Sequence, residues 1–281
     1  MHPCLVCGHI GLDPHFDVLL RCPACGFVTA NMDRPLDVHA VYDTDYFTGG
    51  EYLDYQEDEV FFKKTFRDRL RQLLRRRRDG RLLEIGAAYG FFLDLAREHF
   101  QVIGYEVNHA AARYAREALG VDVRTDDFLR STVQGIDGPV DVTVMWDVIE
   151  HLERPDLYLA RIAALSRPGA LLYVTTGDIG SLLARLRGRK WRMIHPPTHM
   201  HYFSRPTLAR LLANHGFRVL GTQAVGVARS VRQVLYYILV LRMGRPKTYQ
   251  ALTKAIPPTW GFTLNTLDIM QVVAERTDRP S

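Results

Sequence analysis

The chain has 281 residues, of which 47% are hydrophobic and 24% charged, and its formal net charge is +5. These values are ordinary for a globular protein and argue against a fibrous or low-complexity chain. Met1–Cys4 begins no apolar run, so we expect no secretory signal. The longest apolar run, Val234–Leu241, is far shorter than the roughly 20 residues that span a bilayer. We therefore expect a cytoplasmic protein.

All four cysteines lie near the N-terminus and form two CxxC pairs, each followed by a glycine. The pairs are Cys4 with Cys7 and Cys22 with Cys25. Two such pairs about fifteen residues apart have the spacing of a tetrathiolate zinc site. A pair of disulfides is the alternative, which the absence of a secretory signal disfavours. We expect residues 1–35 to form a zinc-binding module whose closed site stabilises the fold.

Residues 36–80 divide into an irregular segment and a helix. The irregular part contains YDTDYFTGGEY, an aromatic and acidic stretch that suits a cap over a pocket better than a linker. Within Glu57–Arg78, apolar residues recur at helical spacing and predict an amphipathic helix that ends at Asp79-Gly80.

From Arg81 onwards, strand-like and helix-like segments alternate, which predicts a parallel sheet with helices on both faces. The strand candidates are Leu82–Ile85, Gln101–Tyr105, Val121–Arg124, Val140–Trp146, Ala170–Thr175, Phe217–Thr222 and Ile269–Glu275. The helix candidates are Phe91–Glu98, His109–Leu119, Asp156–Leu165, Pro206–His215 and Val231–Met243. We expect one domain over residues 81–281, with a helical insertion at about 226–262.

The segment Arg81–Leu93, RLLEIGAAYGFFL, carries the strongest indication of a cofactor. A strand ends near Glu84, a turn of small residues spans Gly86–Gly90, and a helix begins at Phe91, which lets backbone approach a ligand closely. The next strand closes on Glu106 about twenty residues later, where a ribose-binding acid is expected. The GxGxxG pattern of dinucleotide dehydrogenases and the P-loop pattern are both missing.

Several segments together resemble the class I S-adenosylmethionine-dependent methyltransferases. EIGAAYGFFL resembles their motif I, with Ala88 at the usual middle glycine, and Asp141–Leu152 resembles motif IV of the ubiquinone-biosynthesis-like branch. Thr125–Phe128 resembles the adenine-reading segment, and Pro168-Gly169 the turn into strand five. The resemblance implies a doubly wound, Rossmann-like sheet of seven strands that is mostly parallel, with the last strand antiparallel.

The resemblance also implies a binding site for S-adenosylmethionine. Its implied residues are Glu84, Gly86, Ala87, Ala88, Tyr89, Gly90, Phe91, Glu106, Val107, Asp126, Asp127, Phe128, Trp146 and Asp147. A carboxylate at the carboxyl end of a strand can accept hydrogen bonds from both ribose hydroxyls. Glu84 is expected to tune the turn through backbone or water contacts, and a pair of ordinary strand-end acids is the alternative interpretation of Glu84 and Glu106.

The segment WRMIHPPTHMHYFS, residues 191–204, contributes candidate catalytic histidines, His199 and His201. A histidine on a loop near the carboxyl ends of strands can serve as a base near neutral pH. The segment resembles Y-x-E-H-x-x-Y-F-S of the deoxysugar C-methyltransferases, which share a cysteine-rich zinc module. His199 falls on the histidine that acts as base there, whereas Pro196 and Thr198 replace the tyrosine and glutamate. A loop histidine that packs beside its neighbours is the alternative.

Glu150 and His151 in DVIEHL are the other candidate catalytic residues. In the ubiquinone-biosynthesis-like enzymes a similar pair, with a nearby acid, holds a divalent metal, and Asp147, Glu150 and His151 match that set. The simpler interpretation places Glu150 and His151 at the start of a helix, where they shape the pocket.

We expect a methyltransferase that acts on a small biosynthetic intermediate, such as a sugar or sugar nucleotide, at oxygen or carbon. One alternative is a nucleic-acid methyltransferase that binds phosphates with its zinc module and its two arginine clusters. These clusters are Arg67–Arg81, which includes the run Arg75–Arg78, and Arg185–Arg192. Another is a non-catalytic cofactor-binding protein. We expect Val231–Met243 to form a helix over the pocket or in a dimer interface, and contact with a membrane surface or a lipid-linked substrate is the alternative.

Overall fold

The computed structural model describes residues 3–32, 58–131 and 138–277. The predicted cap segment, with YDTDYFTGGEY, lies outside them. The strands are β1 (Asp13–His15), β2 (Leu19–Arg21), β3 (Val28–Ala30), β4 (Arg81–Ile85), β5 (Gln101–Tyr105), β6 (Val123–Arg124), β7 (Val140–Trp146), β8 (Ser166–Gly177), β9 (His201–Tyr202), β10 (Phe217–Ala224), β11 (Val227–Ser230), β12 (Gly261–Leu264) and β13 (Ile269–Arg276). The α-helices are α1 (Glu59–Leu74), α2 (Phe91–Ala96), α3 (His109–Ala118), α4 (Pro155–Leu165), α5 (Leu182–Arg187), α6 (Arg205–Asn214), α7 (Val231–Leu235) and α8 (Pro246–Thr253).

A seven-stranded sheet in the order β10-β13-β8-β7-β4-β5-β6 forms the centre of the molecule. Strands β4 to β8 pair in parallel, and β13 runs antiparallel to both β8 and β10. The predicted doubly wound, mostly parallel sheet with an antiparallel last strand is confirmed. Because the strands were called from local patterns, their ends differ: β6 is shorter than Val121–Arg124, and β8 is longer than Ala170–Thr175.

Two apolar layers cover the sheet. Helices α1, α2 and α3 pack on one face, where Phe66 and Leu93 are among the buried side chains. Helices α4 and α6 pack on the other face, together with Phe27 of the N-terminal module. Burial of each such side chain contributes about 1.5–3 kcal/mol, so these layers account for much of the stability of the fold.

Backbone hydrogen bonds between strands join the cysteine-bearing segment to the large domain. Strands β1, β2, β3 and β9 form an antiparallel four-stranded sheet, in which Val28 pairs with Tyr202 and Thr29 with His201. Within residues 191–204, which the sequence predicts as a loop, only His201 and Tyr202 form a strand, and this strand pairs with β3. Phe27 also packs against Phe203, with ring centroids 5.4 Å apart.

The helix predicted at Val231–Met243 is regular only at its start. Helix α7 ends at Leu235, and a π-helical stretch, Tyr236–Arg242, follows. The wider π-helical turn breaks the single apolar face that the α-helical spacing predicted. Among the described helices, none combines the length and the apolar character needed to cross a bilayer.

Candidate active site

Three acidic residues meet where the central parallel strands end. Ile85 of β4 pairs with Tyr105 of β5 and with Met145 of β7, so these strands finish at one edge of the sheet. Glu84 lies within the end of β4, and two further acids follow β5 and β7 directly. These two are Glu106 and Asp147. The carboxyl edge of the sheet therefore gathers three of the predicted site residues.

The glycine turn after β4 needs its small residues. Gly86 and Gly90 have φ angles of +73° and +77°, and Ala88 has +45°. A Cβ atom on Gly86 would lie 2.4 Å from Val148, and one on Gly90 would lie 2.8 Å from Ala115. Backbone conformation and close packing thus both exclude larger residues, whereas Ala88 accepts a strained conformation.

Glu106 fastens this turn to the end of β5. Its Oε2 accepts a hydrogen bond of 2.8 Å from the Ala88 amide, and its Oε1 accepts one of 2.8 Å from the Asn108 amide. Burial raises the pKa of Glu106, and these backbone donors act against that rise. Each carboxylate oxygen keeps a second lone pair, so the side chain can accept further hydrogen bonds.

Arg69 of α1 is a site residue that the sequence interpretation missed. It is buried, its Nη2 lies 3.3 Å from Oδ2 of Asp147, and its guanidinium lies 4.8 Å from the centre of the Trp146 ring. The signal was an arginine three residues after Phe66, on the apolar face of an amphipathic helix. Asp147 itself has a φ of +57°, and its amide donates a hydrogen bond of 2.9 Å to Thr175 Oγ1.

Glu84 is buried beside these charges, and its Oε2 meets no hydrogen-bond donor within the described ranges. Burial, followed by the Glu106 carboxylate, raises its pKa well above the usual value, while Arg69 opposes the rise. The contacts of Glu84 with the turn, expected from the sequence, stay a prediction.

The aromatic members of the predicted cofactor set are placed in the core. Tyr89 stacks near Phe91 at 6.0 Å, and Phe128 packs against Tyr105 at 5.1 Å. These side chains are buried, so they pack in the core beneath the carboxyl edge of the sheet and are not exposed at that edge. Other members of that set stay accessible on the surface: Val107, Asp126 and Asp127.

Three of the candidate catalytic residues come together. One potential ligand atom from each of Glu150, His151 and His199 lies within 4.8 Å of the others. Glu150 and His151 belong to a 3₁₀ turn, Ile149–His151, that follows β7, and His199 precedes β9. The rings of His151 and His199 are 4.5 Å apart between centroids. We call these three residues the acceptor cluster.

Hydrogen bonds orient both imidazoles of the acceptor cluster. Nδ1 of His151 lies 2.8 Å from the Thr198 carbonyl oxygen, and Nδ1 of His199 lies 2.9 Å from that of Met193. Because a carbonyl only accepts, each Nδ1 carries the proton, and Nε2 of the neutral ring bears the lone pair.

Burial favours the neutral form of every member of the cluster. It lowers the pKa of His151 to about 4 and that of His199 to about 2, where the neighbouring imidazoles add to the effect. Burial, with the Asp147 carboxylate, raises the pKa of Glu150 to about 8. Neither carboxylate oxygen of Glu150 has a well-placed hydrogen-bond donor in the described part of the chain. Near neutral pH both imidazoles are therefore uncharged, and Glu150 is mostly protonated.

His201, also predicted as catalytic, is separated from this cluster. Its Nδ1 lies 3.1 Å from Thr29 Oγ1, its Nε2 lies 3.3 Å from the Glu153 carbonyl oxygen, and its ring packs against Phe27. Both ring nitrogens are occupied by structural contacts, so His201 is removed from the catalytic set. The predicted metal set is corrected too, because the structure groups His199, not Asp147, with Glu150 and His151.

The four cysteine sulfurs also form one cluster, within 4.8 Å of one another. Sγ of Cys4 is 3.6 Å from that of Cys25, and Sγ of Cys7 is 3.5 Å from that of Cys22. A disulfide needs about 2.05 Å, so none of these pairs is bonded. Tetrahedral coordination with Zn–S bonds of about 2.3 Å needs sulfurs ~3.8 Å apart, and the cluster fits that geometry.

The comparisons with known proteins agree with this geometry. The chain belongs to the methyltransferase domain family, whose model matches residues 55–222. This match places the chain among the methyltransferases, as the sequence predicted.

One curated relative and two solved structures illustrate the similarity. The ubiquinone biosynthesis O-methyltransferase of Caulobacter vibrioides is 31% identical over 101 residues, which are 34% of this chain and 40% of that protein. The chain thus matches less than half the length of this relative. A methyltransferase from Archaeoglobus fulgidus has a TM-score of 0.54 at 18% identity, covering 79% of this chain and 99% of that one. Magnesium protoporphyrin IX methyltransferase of Synechocystis, with bound S-adenosylmethionine, has a TM-score of 0.51 at 12% identity, and the match covers 88% of this chain and 100% of that one. At these identities the two structures show the fold.

Proposed function

We propose that the protein methylates an oxygen atom of a small hydroxylated intermediate, such as a sugar or sugar nucleotide. The acceptor cluster is the observation that carries this proposal, because it offers neutral imidazole nitrogens at the carboxyl edge of the sheet. The name of the Caulobacter relative supports transfer to oxygen. Pro196 and Thr198 replace the tyrosine and glutamate of the deoxysugar C-methyltransferases, which weighs against methylation of carbon in a ketosugar.

The donor would bind along the turn Gly86–Gly90. When bound, S-adenosylmethionine supplies an activated methyl group, so the protein has mainly to position the nucleophile in line. Glu106 would accept hydrogen bonds from the ribose hydroxyls through its remaining lone pairs. Val107 and Asp127, both accessible, would contact the adenine from the surface side.

On the acceptor side, His199 would receive the proton that the substrate hydroxyl loses. Its Nδ1 proton is committed to Met193, so only Nε2 can accept. The low pKa of His199 makes it a weak base by itself. The nearby Glu150 carboxylate, once ionised, would stabilise the imidazolium form, so the two groups act together.

A divalent cation held by the acceptor cluster is the second candidate. Two imidazole Nε2 atoms and the buried Glu150 carboxylate form a set of ligands that suits such an ion, since the Nδ1 of each ring is already fixed by a carbonyl. Metal analysis separates the two readings. If the parent holds metal in addition to the cysteine site and Glu150→Gln loses it, the bound cation is favoured. If the parent holds no such additional metal, His199 as a base is favoured.

For the cysteine cluster we propose one structural zinc ion. Four thiolates close the coordination sphere, so the ion would stabilise residues 3–32 and leave no position for substrate. Elemental analysis should find one zinc per chain, and Cys22→Ser should abolish it. The cysteine cluster thus has its own test, independent of the acceptor.

One of the two arginine clusters that the nucleic-acid alternative invokes lies away from the proposed donor site. Arg77, in the run Arg75–Arg78, donates a hydrogen bond of 2.6 Å to Oδ1 of Asp141, near the start of β7. That places the run at the amino edge of the sheet, opposite Glu106 and Asp147. An RNA held there would not reach the proposed methyl donor.

Product analysis with methyl-labelled donor against a panel of sugar nucleotides and phenols tests the proposed reaction. We expect label on an acceptor oxygen, and a fall in kcat of about 10²–10⁴-fold for His199→Ala with unchanged donor affinity. His99→Ala, an exposed histidine at the amino edge, is the matched control. Label on carbon, or full turnover by His199→Ala, would refute the assignment.

A further inference from the structure

The chain makes a long excursion at the active edge of the sheet. It leaves β10 after Ala224 and returns at Ile269, which pairs with Gly177 at the carboxyl end of β8. Strands β11 and β12 form a ribbon at the base of the excursion, and α7, the π-helical stretch and α8 lie beyond it. The excursion therefore projects from the edge that holds the acceptor cluster.

The ribbon is fastened to helix α1. The amide of Ala228 donates a hydrogen bond of 3.0 Å to Thr65 Oγ1, and Gly261 packs so close to Phe61 that a Cβ atom at this position would clash with the ring. One helical turn after Thr65 comes Arg69, the partner of Asp147. A rigid helix thus connects the excursion with the proposed donor site.

Most of the exposed apolar side chains of the described residues belong to this excursion. From Val231 to Leu267 no residue in the described structure is buried. Nine of the seventeen large hydrophobic side chains that are exposed in the described ranges lie here. We call these nine the insertion surface: Tyr237, Ile238, Leu241, Met243, Leu252, Trp260, Phe262, Leu264 and Leu267.

The same segment is basic throughout. Residues 226–267 contain no Asp or Glu, and they contain six basic residues. These are Arg229, Arg232, Arg242, Arg245, Lys247 and Lys254. Such a surface carries apolar side chains together with positive charges and no negative ones. It is complementary to a surface whose outer layer is negatively charged and whose interior is apolar.

The ribbon presents both features on one face. Phe262 stands opposite Arg229, and Leu264 stands opposite Val227, so these four side chains share a face. Ser230 and Ala228 are buried on the other face, towards α1. Trp260, the most exposed aromatic residue of the insertion surface at 59%, lies next to this ribbon face.

We propose that the insertion surface docks on an anionic lipid bilayer. Aromatic and aliphatic side chains would enter the interface while the arginines and lysines meet lipid phosphates. A second copy of the chain is a poorer partner, because a self-complementary contact would bring two surfaces without acids together. Docking would turn the carboxyl edge towards the membrane, where an interfacial acceptor could reach the acceptor cluster.

Vesicle co-sedimentation of the full chain tests this, and it requires no knowledge of the methyl acceptor. We expect binding to phosphatidylcholine vesicles that contain phosphatidylglycerol, weak binding to phosphatidylcholine alone, and release by salt. Trp260→Ser with Phe262→Ser and Leu264→Ser should weaken binding by more than about tenfold. Arg242→Gln with Arg245→Gln and Lys247→Gln should weaken it by about 100-fold.

Matched variants control for charge and hydrophobicity in general. Arg75→Gln with Arg76→Gln and Arg78→Gln removes the same charge at the amino edge, and Ile10→Ser with Leu157→Ser removes exposed apolar groups elsewhere. Both should bind as the parent does, and affinity for S-adenosylmethionine should stay unchanged in every folded variant. No binding by the parent to anionic vesicles overturns the proposal. Equal losses in the controls, or a dimer that only the insertion variants dissociate, also overturn it.

Discussion

The backbone amide of Met200 donates a hydrogen bond of 2.9 Å to the backbone carbonyl of Glu150. The carbonyl of Met200 accepts hydrogen bonds in turn from the Ala30 amide at 2.8 Å and from Thr29 Oγ1 at 3.0 Å. Met200 follows His199 directly, so β3 of the cysteine module supports the residue next to the proposed base. The module therefore stabilises the acceptor side of the site as well as its own fold.

Thr29→Val should weaken the contact between β3 and the residues next to the acceptor cluster. It removes the hydroxyl that contacts both Met200 and His201, and it leaves Nδ1 of the buried His201 without this partner, at a cost of about 1–3 kcal/mol. We expect a lower melting temperature and a lower kcat, with unchanged affinity for S-adenosylmethionine by calorimetry. Thr259→Val, at an exposed position, should change neither. A variant with full kcat would show that the module does not position the cluster.

Arg69→Met should weaken binding of S-adenosylmethionine. The substitution leaves Asp147 without its cation and Glu84 without the charge that opposes the rise of its pKa. Because Asp147 is partly exposed, we expect a stability loss of only about 1–3 kcal/mol, measured by urea unfolding. Arg71→Met, whose partner Asp68 lies on the surface, should cost less than about 0.5 kcal/mol. Equal losses in the two variants would contradict the role of Arg69.

Gly86→Ala should destabilise the protein and abolish binding of S-adenosylmethionine. The added Cβ would meet Val148 at 2.4 Å in a backbone conformation with positive φ. Gly169→Ala separates the two causes, since Gly169 has a φ of +78° but no atom within 4 Å of its Cβ position. We expect the control to lose only the conformational energy of about 1–2 kcal/mol in thermal unfolding. If Gly86→Ala loses no more than Gly169→Ala, packing at the turn is not decisive.

The same conformational energy predicts that Ala88→Gly stabilises the folded backbone. Ala88 has a φ of +45°, which glycine adopts without strain. Glycine also gains freedom in the unfolded chain, which offsets part of the benefit. We expect a change in stability below about 1 kcal/mol and unchanged binding of S-adenosylmethionine, because the amide that donates to Glu106 is retained.

Glu150→Gln should change how stability depends on pH. The pKa of Glu150 is raised from 4.5 to about 8, so the folded state holds a proton that the unfolded state has already released. Its contribution is therefore full below about pH 4.5 and is lost as pH rises to 8. The variant should be more stable than the parent at pH 8, by an amount that shrinks towards pH 5 in urea titrations.

His151 produces the opposite slope. Its pKa is lowered from 6.5 to about 4, so its contribution to stability is present above about pH 6.5 and is lost as pH falls towards 4.

Glu153→Gln, on the exposed side of the same segment, is the control for the Glu150 variant, and its stability should follow the pH curve of the parent. A parallel shift of both variants would assign the effect to surface charge instead of burial.

The sequence alone was sufficient wherever a feature depends on neighbours along the chain. The CxxC pairs, the turn Gly86–Gly90 and the acid Glu106 follow from local spacing, because a tight turn or a metal knuckle needs particular residues within a few positions. The alternation of strands and helices predicted the central sheet for the same reason. The strand ends were less accurate, since pairing with neighbouring strands decides where a strand stops.

Only the tertiary structure decided which side chains meet. His199 joins Glu150 and His151, whereas His201, two residues later, is bound by Thr29 and Glu153. The hydrogen bond between Met200 and Glu150 connects segments fifty residues apart, and pairing of this kind has no local signature. Sequence spacing fixes conformation over one turn or strand, whereas the contacts between distant segments are set by packing of the whole core.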